Sequence, residues 1–370
     1  MLVELNDVLD YVQPTKYLVE STDYSDDFET PVLTAGKSFL LGYTNEKEGI
    51  YSETPVIIFD DFTTSFHFVD FPFKVKSSAL KILKRKNDEV DIKYVYYAMS
   101  RIQFEPELHK RYWISKYSKF QIPLPPLATQ KKIADILDAA DAHRQKTKQL
   151  LAKYDELAQS IFLEMFGDPV TNPKGWVVKS LKDVSQRINV GFVGTCDPFY
   201  TDKENGIPMI RTGNLGEGEL RLDKLKYVTK DFHDKQKKSQ IFPGDILIAR
   251  HGDNGKAVVY EGVFDQANTL NIVIVTPKKR DHSFFIEYIL NSSSVRDYIQ
   301  GFTGGATQKV INTKALYHVP VFQPNHDQIM EFNQALNSIK KSSNFLKMEI
   351  LMAEDLLNSL LQKAFKGELV

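Results

Sequence analysis

The chain has 370 residues, enough for two or three domains, and its 42% hydrophobic, 12% aromatic and 26% charged composition excludes disorder over most of the length. The single Cys196 excludes an intramolecular disulfide and a multi-cysteine zinc cluster. No apolar run approaches the roughly 18 residues of a membrane span, and the opening MLVELNDVLDYVQPTKY lacks the basic start and apolar stretch of a secretory signal. These features fit the cytoplasm. The net charge of −1 is unevenly spread: 15 Lys+Arg against 19 Asp+Glu over 1–126, 6 against 7 over 127–169, 21 against 16 over 170–325, and 5 against 6 over 326–370, so only the third block is basic.

The first block, 1–126, reads as α/β. It opens with a short apolar–polar segment, LNDVLDY (5–11), followed by a strand-like turn, TPVLTAG (30–36). A β-rich hairpin, PVIIFDDFTTSFHFVDFPFKV (55–75), and a helical stretch, IKYVYYAMS (92–100), come next. Asp60 and Asp61 are read as strand-end or turn residues. The block closes with HKRYWISKYSKF (109–120), where Lys110, Arg111, Lys116 and Lys119 interleave with Tyr112, Trp113 and Tyr117. Cations beside aromatics suit a nucleic-acid backbone, although an amphipathic surface strand has the same pattern.

Over 127–169 the spacing predicts a first long helix. Ile133, Leu137, Ala140, Arg144, Thr147, Leu151, Tyr154, Ala158, Ile161 and Met165 form a heptad register, polar only at Arg144 and Thr147. A proline-rich approach, IPLPPLATQ (122–130), precedes it; Thr129 is its expected N-cap and Gly167 its stop. At about 1.5 Å per residue this rod is on the order of 55 Å long. The turn-rich GDPVTNPKGW (167–176) then marks a boundary.

The second block, 170–325, echoes the first in LKDVSQR (181–187), IPMIRTGN (207–214), GDILIARHGDNGKAVVYEG (244–262), LNIVIVTP (270–277) and FFIEYILNSS (284–293). Arg211-Thr212-Gly213-Asn214 and the turn with Arg250, His251, Asn254 and Lys256 each follow an apolar run. Arg pairs with guanine and Asn with adenine through double hydrogen bonds, while Lys neutralises phosphate, so these turns are candidate DNA-binding elements. Thr303, Gln308 and Lys309 in the glycine-rich GFTGGATQKVINTKAL (301–316) offer further phosphate contacts. The basic run RLDKLKYVTKDFHDKQKKS (221–239) suits a solvated face equally well. Asp197-Pro198-Phe199-Tyr200 resembles an amino-methyltransferase motif, but its second proline is missing and no cofactor loop precedes it. No catalytic residue and no metal ligand is assigned, because the eight histidines show no ligand spacing in the sequence.

The last block, 326–370, repeats the heptad pattern at Ile329, Phe332, Leu336, Ile339, Ser343, Leu346, Ile350, Ala353, Leu357, Leu360 and Ala364, with Asp327 and Gly367 as expected cap and stop. Two such stripes, similarly flanked, are buried most economically against each other in an antiparallel coiled coil. The interface residues named for it are Ile133, Leu137, Leu151, Tyr154, Ile161, Phe332, Leu336, Leu346, Ile350 and Leu357. Arg144 and Ser343 are the polar positions that would set register.

The order of these pieces resembles the DNA-specificity subunit of type I restriction–modification systems over essentially the whole chain. The resemblance rests on YSKFQIPLPPLATQKKIADILDAADAHRQKTKQLL (117–151), GDILIARHGDNGKAVV (244–259) and GGATQKVINTKALYHVPVFQPNHDQ (304–328). It implies two β-rich α/β target-recognition domains separated by two long helices. It implies no chemistry in this chain: each domain reads half of a split double-stranded DNA target, and the helices hold the halves apart. It also implies two modification subunits, which use S-adenosylmethionine to methylate a flipped-out adenine, and restriction subunits that use ATP and Mg. The second approach, VPVFQPNHDQ, departs from the tighter IPLPPL form and leaves that loop's geometry open. A coiled-coil scaffold with protein-binding lobes, or an enzyme acting around Asp197–Tyr200, are the competing readings.

Overall fold

A computed structural model of the protein describes all residues except 37, 108–109, 217, 252–254, 302–309 and 312. Its contacts divide the chain into two units, Met1–Gln149 with Leu346–Val370, and Leu150–Phe345.

In the first unit, β1 (Leu9–Val12), β2 (Val56–Asp60), β3 (Phe66–Val69) and β4 (Leu80–Arg85) form an antiparallel sheet in the order β1-β4-β2-β3. The central strand is apolar at successive positions because both faces are covered. Ile57 and Phe59 point into a core shared with α1 (Ile92–Met99), while Val56 and Ile58 point into a second core with Val69 and Ile82. Asp91 caps α1 by accepting the Tyr94 N–H at 2.8 Å. A smaller sheet joins Leu40–Thr44, Thr30–Leu33 and Lys74–Val75, the last pair parallel. Leu2–Glu4 pairs with Gln121–Pro123, which delivers the chain to α2 (Leu127–Phe166).

The second unit repeats this plan. β5 (Ser185–Val190), β6 (Ile246–Ala249), β7 (Ala257–Val259) and β8 (Ile272–Pro277) assemble as β5-β8-β6-β7, again antiparallel. Ile246 and Ile248 face the core of α3 (Ser283–Asn291) and α4 (Ser293–Gly301), and Leu247 and Ala249 face the opposite core. The smaller sheet again contains one parallel pair, Ile207–Arg211 with Asn268–Leu270. Val178–Ser180 pairs with Pro320–Phe322 ahead of α5 (His326–Lys366), so the altered proline approach keeps the geometry of the first.

Each long helix divides its stripe between the two units. Ile133, Ala134 and Leu137 share the first unit's core with Leu357, Leu361 and Ala364. Ala158, Phe162 and Phe166 share the second unit's core with Ile329, Phe332, Leu336 and Ile339, and the Phe162 and Phe332 rings lie 5.7 Å apart. Of the ten interface positions named from the heptads, Ile133, Leu137, Phe332, Leu336, Leu346 and Leu357 are buried; Leu151, Tyr154, Ile161 and Ile350 are half-buried. The heptad pattern misses Phe162 and Leu361, which follow Ile133 and Phe332 by about eight turns of straight helix. A straight helix drifts by about 20° per heptad, and over four heptads the buried position moves one residue onward.

Two cap expectations are corrected. The first helix starts at Leu127, which puts Thr129 inside its first turn. Asn325, not Asp327, caps α5: its side chain accepts the Gln328 N–H at 2.9 Å while the Gln328 side chain accepts the Asn325 N–H at 3.1 Å. Gly167 and Gly367 end the helices at φ values of 80° and 77°. Arg144 does not stand alone in the stripe: it pairs with Asp141 at 2.6 Å and lies 3.9 Å from Glu354.

The second unit buries a carboxyl group on α3. Glu287 accepts the Val259 N–H at 3.3 Å, and burial pushes its pKa up to about 8 against the opposing pull of Lys340. It lines a cavity of about 220 Å³ with Asp155, Lys256, Asn291, Arg296 and Lys340. Between roughly pH 4.5 and 8 the folded chain retains a proton there that the unfolded chain has lost, so rising pH removes stability. Glu287→Gln should flatten this dependence and gain on the order of a few kcal/mol at pH 8. Urea melts of both proteins at pH 5 and pH 8 check it.

Candidate nucleic-acid interface

In the first unit the segment 110–119 forms a turn whose two sides have opposite character. Tyr112, Trp113 and Tyr117 point inward; Trp113 and Tyr117 lie 5.2 and 4.8 Å from the Phe59 ring. Lys110, Arg111, Lys116 and Lys119 point outward with Ser115 and Ile114, the last 60% exposed. Lys116 lies over the Phe104 ring at 4.8 Å and Arg111 over Phe62 at 5.8 Å, so both cations are steered by aromatic faces. Lys110 is ion-paired to Glu107, which raises its pKa and lowers that of the carboxylate.

The turn is held by one carboxylate. Asp61 Oδ1 accepts the backbone N–H groups of Tyr112 at 3.1 Å and Trp113 at 2.8 Å. Its Oδ2 is 3.7 Å from Lys81 Nζ, and both side chains are about 4% exposed. Lys81 in turn reaches Gln13 and lies over the Tyr11 ring. Asp61 is thus the anchor beneath the basic strip rather than a simple turn residue.

The second unit uses an amide for the same purpose. Asn214, 3% exposed, accepts the Arg211 N–H at 3.1 Å and donates to the carbonyls of Arg221 at 3.1 Å and Asp223 at 3.3 Å. Arg211 donates from Nη2 to the Lys224 carbonyl at 2.9 Å. Together they tie Arg211 and Asn214 to the backbone of Arg221, Asp223 and Lys224. Arg221 and Lys224 stand exposed here, as does Lys226 at the start of the next strand, and Lys224 holds a left-handed backbone at φ 55°. Lys230, Lys235, Lys237 and Lys238 are also exposed, although Lys235 is neutralised by Asp231 at 2.8 Å.

Three residues named for DNA contact are therefore reassigned to the protein's interior. Tyr112 is core, its hydroxyl bonded to the Glu107 backbone. Asn214 has its amide spent on backbone groups. Lys256 is 6% exposed and lines the Glu287 cavity. Buried polar heads satisfy the chain first, and this removes them from a solvent-facing surface. Thr212 and Arg250 are half-buried and His251 exposed; Arg250 Nε donates to the Ile311 carbonyl at 3.2 Å. Asn254, Thr303, Gln308 and Lys309 lie outside the described residues. Sequence reading gave no weight to Asp61 as an anchor, although its neighbour Lys81 within an apolar strand is the signal that a buried carboxylate is needed.

Two α/β units of one plan, each with an outward basic turn and each built on halves of two long helices, define the class of protein with a repeated α/β unit and two long helices. Residues 1–153 and 173–346 match the type I restriction modification DNA specificity domain, and the chain belongs to that family. It is similar to the specificity subunit of the Escherichia coli type I restriction enzyme EcoR124I/EcoR124II, 51% identical over 146 residues. That segment is 36% of this chain and spans only 36% of that subunit's length. It is also similar to the MjaVIII specificity subunit of Methanocaldococcus jannaschii, 23% identical over 367 residues, or 91% of this chain and 85% of that one. The S subunit structure from M. genitalium shares the fold, with a TM-score of 0.60 at 14% identity over 99% of this chain and 96% of that one.

Asp61→Ala would leave Lys81 buried without its carboxylate and remove the Oδ1 acceptor of the Trp113 N–H, while the Tyr112 N–H keeps the backbone carbonyl of residue 61 at 2.9 Å; the expected loss is about 3–5 kcal/mol by chemical denaturation. Asp61→Asn, which keeps an acceptor, should lose less. Asn214→Ala should cost about 1–3 kcal/mol and increase amide exchange across 212–224.

Proposed function

We propose that the protein is the DNA-recognition subunit of a type I restriction–modification complex, acting in the cytoplasm and performing no chemistry itself. Each lobe reads one half of a split double-stranded target. The observation that carries this reading is the repeat: two lobes of one topology, each with outward-facing cations on a clamped loop, joined by helices of 40 and 41 residues. A helix of that length is about 60 Å long and stiffer than a flexible linker. Linking two weak readers raises the effective concentration of the second on one duplex.

In this reading the first lobe engages phosphates through Lys110, Arg111, Lys116 and Lys119, and the second through Arg221, Lys224 and Lys226. Thr212, Arg250 and His251 are the base-reading candidates of the second lobe. The long helices serve a further purpose. In the first unit Met348, Leu351, Met352 and Leu356 of α5 are more than half exposed; in the second, Leu150, Leu157 and Leu163 of α2 are over 40% exposed. Leu157 and Leu356 occupy the same place in the two stripes, one residue before the buried Ala158 and Leu357. Exposed apolar stripes of this kind support docking of a partner at each, consistent with two modification subunits. Those partners supply S-adenosylmethionine, and the restriction subunits ATP and Mg. Among the described residues, no helix is long and apolar enough to cross a membrane.

Neutralising Lys110, Arg111 and Lys116 should weaken DNA binding by the assembled complex for all sequences alike. The slope of log K against log salt should fall by about 0.9 for each phosphate that is no longer neutralised; an unchanged slope places the strip off DNA. In cells carrying the modification partner, Arg250→Ala should relax one half of the methylated motif and leave the other intact, as read by sequencing methylated adenines. A motif altered in both halves, or in neither, contradicts the assignment. Leu356→Glu should reduce the number of modification subunits retained, measured by native mass.

A further inference from the structure

The fold brings together two histidines that lie 44 positions apart in the sequence and joins them to a carboxylate. Asp281 and His282 sit in the short turn before α3, and His326 is the first residue of α5. One donor atom from each of the three lies within 4.8 Å of the other two. His282 Nε2 is 3.9 Å from Asp281 Oδ1, and His326 Nδ1 is 3.7 Å from Asp281 Oδ2. The two imidazoles lie nearly parallel, 24° between planes, with ring centres 6.1 Å apart. All three residues belong to the second unit.

Hydrogen bonding within the protein does not account for this arrangement. His282 Nε2 is buried and has no hydrogen-bond partner among the described residues, and the same holds for Asn333 Oδ1. Asn333 Nδ2 donates to the Asp281 backbone carbonyl at 2.7 Å, which fixes the turn against α5. A buried ring nitrogen without a partner is costly, and one facing a carboxylate and a second imidazole has the direction of a ligand.

We propose that Asp281, His282 and His326 form a binding site for a divalent transition metal of the zinc class. Two imidazole nitrogens and one carboxylate oxygen are a borderline donor set suited to Zn²⁺, and they leave the fourth tetrahedral position to water. Around an ion with bonds of about 2.0–2.1 Å, tetrahedral donors stand roughly 3.3 Å apart. The observed separations therefore close by a fraction of an ångström to about 1.5 Å, within reach of the half-exposed Asp281 and His326 side chains. Bound metal would tie the turn that leads into the second lobe's α3 to the first residue of the last long helix. It would stabilise the folded chain by preferential binding and would not touch the basic loop.

The test uses the untagged full-length chain, stripped of metal by chelator and titrated with Zn²⁺ against a chromophoric competitor. One tight equivalent is expected, together with a rise in melting temperature. Co²⁺ should give the intense visible absorption of tetrahedral coordination. His326→Ala, at a half-exposed position, and His282→Gln should each weaken binding by more than the ten- to hundredfold typical of a lost outer-shell partner, and should abolish the thermal shift. His143→Ala, a histidine outside the cluster, should leave both unchanged. Absence of stoichiometric binding by the wild-type chain, or equal binding by the His282→Gln/His326→Ala double variant, overturns the proposal.

Discussion

Burial of the two long apolar stripes is the constraint on which the rest of the structure depends. Helices of 40 and 41 residues present more apolar length than one lobe can cover. The chain resolves this by giving each lobe one half of each helix. Ile133 and Leu137 are sealed in one core with Leu357 and Leu361, and Phe162 and Phe166 in another with Phe332 and Leu336. Neither lobe's core is complete without residues distant in sequence, so the helices are integral to both lobes and are not attached spacers.

On that base, each lobe solves the same local problem with different chemistry. A loop carrying several cations repels itself and tends to stay open. In the first lobe a buried carboxylate, Asp61, gathers two backbone N–H groups and is neutralised from below by Lys81. In the second, the neutral amide of Asn214 and the guanidinium of Arg211 gather backbone carbonyls. The clamp is a carboxylate in the acidic lobe and an amide with a guanidinium in the basic one. The residues that hold each loop face inward and the exposed cations lie on its outer side, Lys110 among them ion-paired to Glu107.

The repeat was legible in the sequence, and for a definite reason. Heptad spacing, proline approaches and the strand-like runs at 55–60 and 246–249 are local patterns, and local patterns survive without a structure. The coiled-coil positions were readable to within one residue, the remaining error being the drift between a heptad and a straight helical turn. The site was less legible. Tyr112, Asn214 and Lys256 carry side chains that suit nucleic acid, but their heads are claimed by the interior. Residue type alone does not tell a polar group that faces solvent from one that satisfies a buried backbone.

By itself, then, the sequence determined the order of elements, the twofold plan, the two helical stripes and the family resemblance, because each depends on spacing along the chain. Tertiary structure decided which polar side chains remain on the surface, where the caps fall, and how each stripe is shared between two cores. It also decided that His282 and His326, unrelated by any spacing, meet beside Asp281. Those outcomes depend on which distant segments compete for the same buried volume and the same hydrogen-bonding groups. That competition is settled only when the chain packs.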